Sequence, residues 1–92
     1  MNYLEGHGYV DFGSLTAADQ NRLLIKEIVK SLVKERNRLG ISSYAWSNLS
    51  GISTSAISMI ESGKREPSLH TLLMLSQGLE IRLGDLINEL QQ

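Results

Sequence analysis

The segment Ile41-Ser42-Ser43-Tyr44-Ala45-Trp46-Ser47-Asn48-Leu49-Ser50-Gly51-Ile52-Ser53-Thr54-Ser55-Ala56-Ile57-Ser58-Met59-Ile60-Glu61-Ser62-Gly63 holds two short helical runs, each opened by a serine and closed by a glycine. Ser42 is placed to cap a helix through Trp46 and Leu49, which Gly51 breaks. Ser53 is placed to cap a second helix through Ile57 and Ile60, which Gly63 ends. At the turn between them, Gly51 takes a left-handed backbone conformation without a Cβ penalty. Ser47, four residues earlier, is small where two crossing helices approach. Ile52 buries in the turn, and Ile57 and Ile60 pack the second helix onto the core.

Upstream, Thr16-Ala17-Ala18-Asp19 reads as a helix start: Thr16 accepts a backbone N–H, Asp19 sets an anion in the first turn, and Leu15 staples the entry. Leu24, Ile25, Ile28, Val29, Leu32 and Val33 recur at helical spacing, with Leu39 last and Gly40 as the stop. Lys26, Lys30, Lys34 and Arg38 follow at four-residue steps and share a solvated face. Downstream, Lys64-Arg65-Glu66-Pro67 is a polar connector. Ser68 caps a fourth helix carrying Leu69, Leu72, Leu73 and Leu75, which Gly78 is expected to end. Ile81-Arg82-Leu83 leads into a fifth with Leu83, Leu86, Ile87 and Leu90. The last stripe either closes the monomer core or pairs with a twofold mate. No stretch alternates with period two for long. The expectation is an all-α fold of five helices over residues 16–92, preceded by an N-terminal arm, residues 1–15.

Length and composition agree with one domain. Ninety-two residues, 41% hydrophobic and 21% charged, leave no room for two cores. With no cysteine there is no disulfide, thiolate nucleophile or zinc–cysteine site. His7 and His70 lie far apart in sequence and are expected in ordinary surface roles, so neither metal nor cofactor is expected. No apolar run approaches a membrane span, and the N-terminus lacks the basic start and apolar core of a signal peptide, which suits the cytoplasm. Nothing assembles a nucleophile–base pair or a phosphate-binding loop; an enzyme is not expected, nor a small-molecule substrate.

Net charge is −1, but it is unevenly spread. Residues 1–20 carry −3, residues 21–40 carry +4, residues 41–60 carry no charge, and residues 61–92 carry −2. A nearly neutral chain of this kind still presents a basic face. The arm holds Tyr3, Leu4, Tyr9, Val10 and Phe12 broken by Gly6, Gly8 and Gly13. Its acidity favours docking on the protein, within the chain or on a partner subunit, over tracking DNA. A short strand at 9–12 is the minor reading.

The paired helices have the pattern of a helix–turn–helix whose second helix enters the DNA major groove. From Gly40-Ile41-Ser42 through Trp46-Ser47, Gly51-Ile52-Ser53, Ile57-Ser58, Ile60-Glu61-Ser62-Gly63-Lys64-Arg65, Pro67-Ser68 and Leu72-Leu73 to Leu79-Glu80-Ile81 and Leu86-Ile87, the chain resembles the Cro/phage-repressor type of helix–turn–helix domain. This is also called the lambda-repressor-like or XRE family. The resemblance spans about residues 22–90 without a gap.

It implies a compact lambda-repressor-like fold and a transcriptional regulator that binds a palindromic operator in double-stranded DNA as a homodimer, with about residues 53–62 in the major groove. Base readout maps to Thr54, Ser55, Ser58 and Met59. Phosphate contact maps to Ser43, Ser53, Lys64 and Arg65. Many members have glutamine where this chain has Ser43, and arginine or glutamine at Thr54. The groove-facing helix here has no cation, so it has no bidentate arginine-to-guanine contact to offer. Specificity then leans on hydroxyls, on Met59 or Ala56 against thymine methyls, on half-site spacing and on DNA shape.

Each of these residues also has a plainer use. Ser53 serves as an N-cap alone, Ser55, Ser58 and Met59 as ordinary surface, and the helix 1 lysines as a solvated face. Trp46 is expected in the core, Arg36 paired with Glu61 or Glu35, and Glu61 structural. The competing function is a protein-interaction module, or an antitoxin-like partner protein with a weakened DNA-binding face; the acidic arm and the cation-free helix favour it.

Overall fold

Thr16 begins the longest helix as the spacing predicts: its Oγ1 accepts the Asp19 N–H at 3.2 Å and donates to Asp19 Oδ2 at 2.9 Å. The computed structural model describes residues 15–92, which form five helices and no strand. They are α1 (Ala17–Arg38), α2 (Ser43–Ser50), α3 (Thr54–Glu61), α4 (Leu69–Gly78) and α5 (Leu83–Leu90). The all-α, five-helix expectation is met. Residues 1–14 of the expected arm, and with them the strand at 9–12, lie outside the described residues; of that arm only Leu15 is described.

Four of the five helices open on the predicted hydroxyl cap. Ser42, Ser53 and Ser68 accept the N–H groups of Ala45, Ala56 and Thr71, as Thr16 does that of Asp19. Each cap satisfies a donor that the first turn leaves without an intrahelical partner, worth about 1 kcal/mol.

The helix ends are equally specific. After α1, Gly40 donates to the Asn37 carbonyl and Ile41 to that of Arg36, both at 3.1 Å. After α3, Gly63 donates to Ile60 at 3.1 Å and Lys64 to Met59 at 2.9 Å. These are paired bonds of the Schellman type, with Gly40 and Gly63 in the left-handed region (φ 70° and 78°).

The same closure follows α4, where Glu80 donates to Gln77 at 3.0 Å and Ile81 to Ser76 at 2.9 Å. Here the left-handed residue is Glu80, φ 58°, and not Gly78, which remains inside the helix. The expected glycine stop at Gly78 is therefore two residues early. Gly78 serves packing instead: a Cβ there would lie 3.1 Å from the backbone nitrogen and the Cβ of Ser50. The missing side chain lets α4 lie directly on the end of α2.

One core joins all five helices: Ile28, Leu32, Trp46, Ile57, Ile60, Leu72, Leu75, Leu79 and Leu83 are buried. Leu24, Val29, Val33, Ile41, Ile52 and Ile81 pack around it, with Leu86, Ile87 and Leu90 of α5. The α5 stripe thus closes this chain's own core. Trp46 sits in the middle, 2% exposed, and its Nε1 donates to the Leu75 carbonyl at 3.0 Å. The indole satisfies its one polar atom while filling the space between α2 and α4.

Candidate nucleic-acid interface

α2 and α3 meet through a turn whose geometry follows from three residues. Gly51, φ 80°, donates its N–H to Ser47 O at 2.9 Å and closes α2. The buried Ser50 hydroxyl accepts the Ile52 N–H at 3.2 Å. Ile52 packs on the core, and Ser53 then starts α3. The chain reverses within three residues, with the buried turn polar atoms paired.

α3 buries one face only. Ile57 and Ile60 are 1% and 5% exposed, while Thr54, Ser55, Ser58 and Met59 are all on the solvent side. The four residues expected to read bases therefore share one accessible surface without a formal charge. Ser53 caps the helix, with its Oγ also 3.4 Å from the Ser55 hydroxyl. Ser43 is half-buried as the first residue of α2, and Ser42 provides that helix's cap.

The Met59 carbonyl fixes the loop beyond α3. It accepts the backbone N–H groups of Lys64 at 2.9 Å and Arg65 at 3.2 Å, and the Ser62 hydroxyl at 3.1 Å. The backbone of both cations is thereby tied to the last turn of the exposed helix. Their side chains are exposed and make no ion pair among the described residues. At a phosphate backbone such side chains exchange hydration and counterions, not a protein partner.

Arg36 braces the rear of this surface. Its Nη2 lies 3.0 Å from Glu61 Oε1, its Nη1 donates to the Ile41 carbonyl at 3.1 Å, and its guanidinium lies 5.6 Å from the Trp46 ring centroid. One side chain thus ties the end of α1 to the start of α2 and the end of α3. Of the two partners open to Arg36 in sequence, Glu61 is the one it takes. Glu35 goes to Arg38, whose Nε donates to its Oε2 at 2.9 Å. That bond holds the exposed Glu35 carboxyl below the usual carboxylate range and the Arg38 guanidinium above its own. Glu61 is structural, as expected. What sequence reasoning missed is the triple load on Arg36 and the Met59 carbonyl clamp; the first arises from tertiary packing and the second from a backbone atom, so neither leaves a residue-type signal.

The other helix 1 cations are split. Arg22 and Lys30 lie near Asp19 and Glu27 at 3.7 and 3.8 Å, within their own helix and exposed. Lys26 and Lys34 make no ion pair among the described residues, and within the same residues no helix is long and apolar enough to cross a membrane.

Comparison with known proteins places this geometry. A Haemophilus influenzae protein described as an uncharacterised HTH-type transcriptional regulator is 42% identical over 48 residues, 52% of this chain and 49% of that protein. The chain thus spans about half the length of the curated relative it matches. No solved structure matches it. The model of a family described as helix-turn-helix matches residues 32–86, which take in α2, the turn, α3 and α4 entire. With that match over more than half its length, and with the two capped helices and glycine turn in place, the chain belongs to the helix-turn-helix family.

Proposed function

We propose that this protein is a sequence-specific, double-stranded-DNA-binding transcriptional regulator of the cytoplasm, acting without enzymatic chemistry. It binds a palindromic operator as a homodimer, with α3 in the major groove. One observation carries the reading: the uncharged outer face of α3 stands beside Lys64 and Arg65, whose backbone is pinned to that helix through the Met59 carbonyl. A groove-reading helix needs such a face flanked by cations that grip the strands on either side.

In this arrangement Thr54, Ser55, Ser58 and Met59 face base edges. Ser and Thr hydroxyls donate or accept at several base edges, and Met59 packs on a thymine methyl. Lys64 and Arg65 hold phosphates. Ser53 and Ser43 stand at helix starts, where backbone N–H groups favour a phosphate oxygen. With α1 cations this makes about three or four phosphate contacts per protomer, and two protomers give a log–log salt slope of roughly −5 to −7. Each hydroxyl contact discriminates weakly, so half-site spacing and DNA shape share the specificity.

The test is fluorescence anisotropy with labelled duplexes from the DNA flanking the coding sequence, from 50 to 300 mM salt, with the molecular mass measured in the same buffers. The reading expects a protected site with twofold symmetry, two chains per site and a steep salt slope. Failure to retain any duplex at low salt overturns it and leaves the protein-interaction module.

A further inference from the structure

α1 and the loop after α3 border a groove of about 280 Å³. Its floor is apolar: Ile25 and Val29 of α1 are half-buried there, and Ile60 and Pro67 are buried. Its rim is cationic. Lys26 and Arg65 make no ion pair among the described residues, and Arg22 and Lys30 are engaged only with exposed carboxylates of their own helix. Of the two carboxylates on the lining, Glu61 is held by Arg36 and Glu66 is exposed. Four cations therefore stand against two carboxylates, one of them already paired.

The occupant that complements such a groove has an apolar body and one anion. Size decides between a small molecule and a partner helix. Ile25 and Val29 are one turn apart, about 6 Å along α1 at roughly 1.5 Å per residue. A helix laid in a groove takes anchors spread over two turns, whereas this floor has room for one ring or a short chain. The volume falls just under the roughly 300–1,000 Å³ of drug-sized sites, which sets the ligand at about a dozen heavy atoms.

We propose that this groove is an effector site for a small apolar monoanion of the aryl- or alkyl-carboxylate class, with its hydrocarbon on Ile25, Val29, Ile60 and Pro67 and its carboxylate at Lys26 and Arg65. The apolar floor supplies affinity, and the unpaired cations select the sign of the charge. Arg65 is also the proposed phosphate grip, so the bound carboxylate competes with DNA for it, while Lys64, which does not line the groove, keeps its phosphate. The site stands on the groove; the competition rests on the DNA-binding reading above.

The probe is 4-phenylbutyrate, added to the full-length, methyl-labelled protein. Butyrate (the anion without the ring) and 4-phenylbutanol (the ring without the anion) are the controls. The expected result is a saturable shift of the Ile25, Val29 and Ile60 methyl signals in the low-millimolar range or below, with those of Leu49 and Leu86 unmoved. Lys26→Gln is expected to weaken the probe about 1.5- to fivefold, the worth of one exposed ion pair. Ile25→Gln puts an amide on the floor and is expected to abolish saturation. No saturable shift with 4-phenylbutyrate overturns the site. So does equal binding of 4-phenylbutanol, which shows an unselective apolar hollow. So do shifts of the same methyls on dilution without any probe, which put a second copy there. For the competition, the duplexes described above are titrated. Against an equal concentration of butyrate, saturating 4-phenylbutyrate is expected to weaken wild-type binding on every duplex and to lower the magnitude of the salt slope by about 1 per protomer, and to do neither in Ile25→Gln. Unchanged duplex affinity with the probe bound overturns the competition and leaves the site. If no duplex binds even without probe, the DNA reading and the competition fall together, while the methyl shifts still decide the site.

Discussion

Arg36 Nη2 lies 3.0 Å from Glu61 Oε1, and the two side chains are only 12% and 26% exposed. The pair bridges α1 and the final residue of α3. It joins the last residue of α3 to α1, so its loss is expected to loosen how that helix is held. Arg36 Nε is buried without a hydrogen-bond partner, which makes the site costly to hold unless its other bonds stay intact.

Arg36→Ala removes the ion pair, the bond to the Ile41 carbonyl and the contact with the Trp46 ring together. It leaves Glu61 half-buried without its cation. The expected loss is about 2–3 kcal/mol, between a surface pair and a fully buried one. For a domain of this size that lowers the melting temperature by about 10 °C or more. Glu61→Gln keeps the shape and one acceptor and is expected to lose about 1 kcal/mol. Thermal unfolding at pH 7 decides it; an Arg36→Ala protein within 0.5 kcal/mol of wild type contradicts the bracing role.

The α4 terminus offers a test with opposite signs two residues apart. Glu80 holds φ 58°, a conformation costly for any side chain. Glu80→Gly relieves it, less the extra entropy glycine loses on folding. A net gain of about 0.5–1 kcal/mol is expected, a rise of a few degrees in melting temperature. Gly78→Val pushes a branched side chain against the Ser50 backbone 3.1 Å away, and a loss of about 2 kcal/mol or more is expected. Glycine scanning by urea unfolding checks both; equal effects at the two sites contradict the assignment.

Glu35 and Arg38 give a pH signature. The hydrogen bond from Arg38, with its charge added, lowers the Glu35 pKa. A lowered folded-state pKa contributes stability above the unfolded value, and that contribution fades as pH falls through the folded one. The pair is exposed on α1, so the effect on unfolding is small and the titration itself is the readout. Carboxyl NMR is expected to show Glu35 titrating below the ordinary glutamate range in wild type and within it in Arg38→Gln. An unchanged midpoint removes the assigned cause.

What the sequence made legible follows from the range of each interaction. Thr16, Ser42, Ser53 and Ser68 act on N–H groups three residues away, so the caps are readable in order along the chain. Gly40, Gly51 and Gly63 were equally readable because left-handed positions favour glycine. Gly78 misled for the same reason: composition cannot separate a glycine needed for its backbone angle from one needed for lack of a side chain. Which was needed depends on Ser50, twenty-eight residues away in the chain. The exposed set on α3 followed from helical period, since burial of Ile57 and Ile60 fixes where Thr54, Ser55, Ser58 and Met59 point. The Arg36 choice between Glu35 and Glu61 was open, because only the approach of α3 to α1 brings the second within reach.

The proposed interface separates grip from readout, and substitutions can measure each apart. Lys64→Ala and Arg65→Ala leave α3 intact, because the Met59 carbonyl is held by their backbone N–H groups and not by their side chains. Each is expected to weaken binding similarly on every duplex and to lower the magnitude of the salt slope by about 1 per protomer. Thr54→Ala and Ser55→Ala carry no charge change, so the slope is expected to stay while preference shifts at one base pair of each half-site. A lost hydroxyl contact predicts a change of about 1 kcal/mol in discrimination there, roughly fivefold in relative affinity. Binding of randomised duplexes at two salt concentrations reads both quantities at once. Base preference that moves with Lys64 and Arg65 but not with Thr54 or Ser55 reverses the assignment and puts the readout in the loop, with α3 acting only as its support.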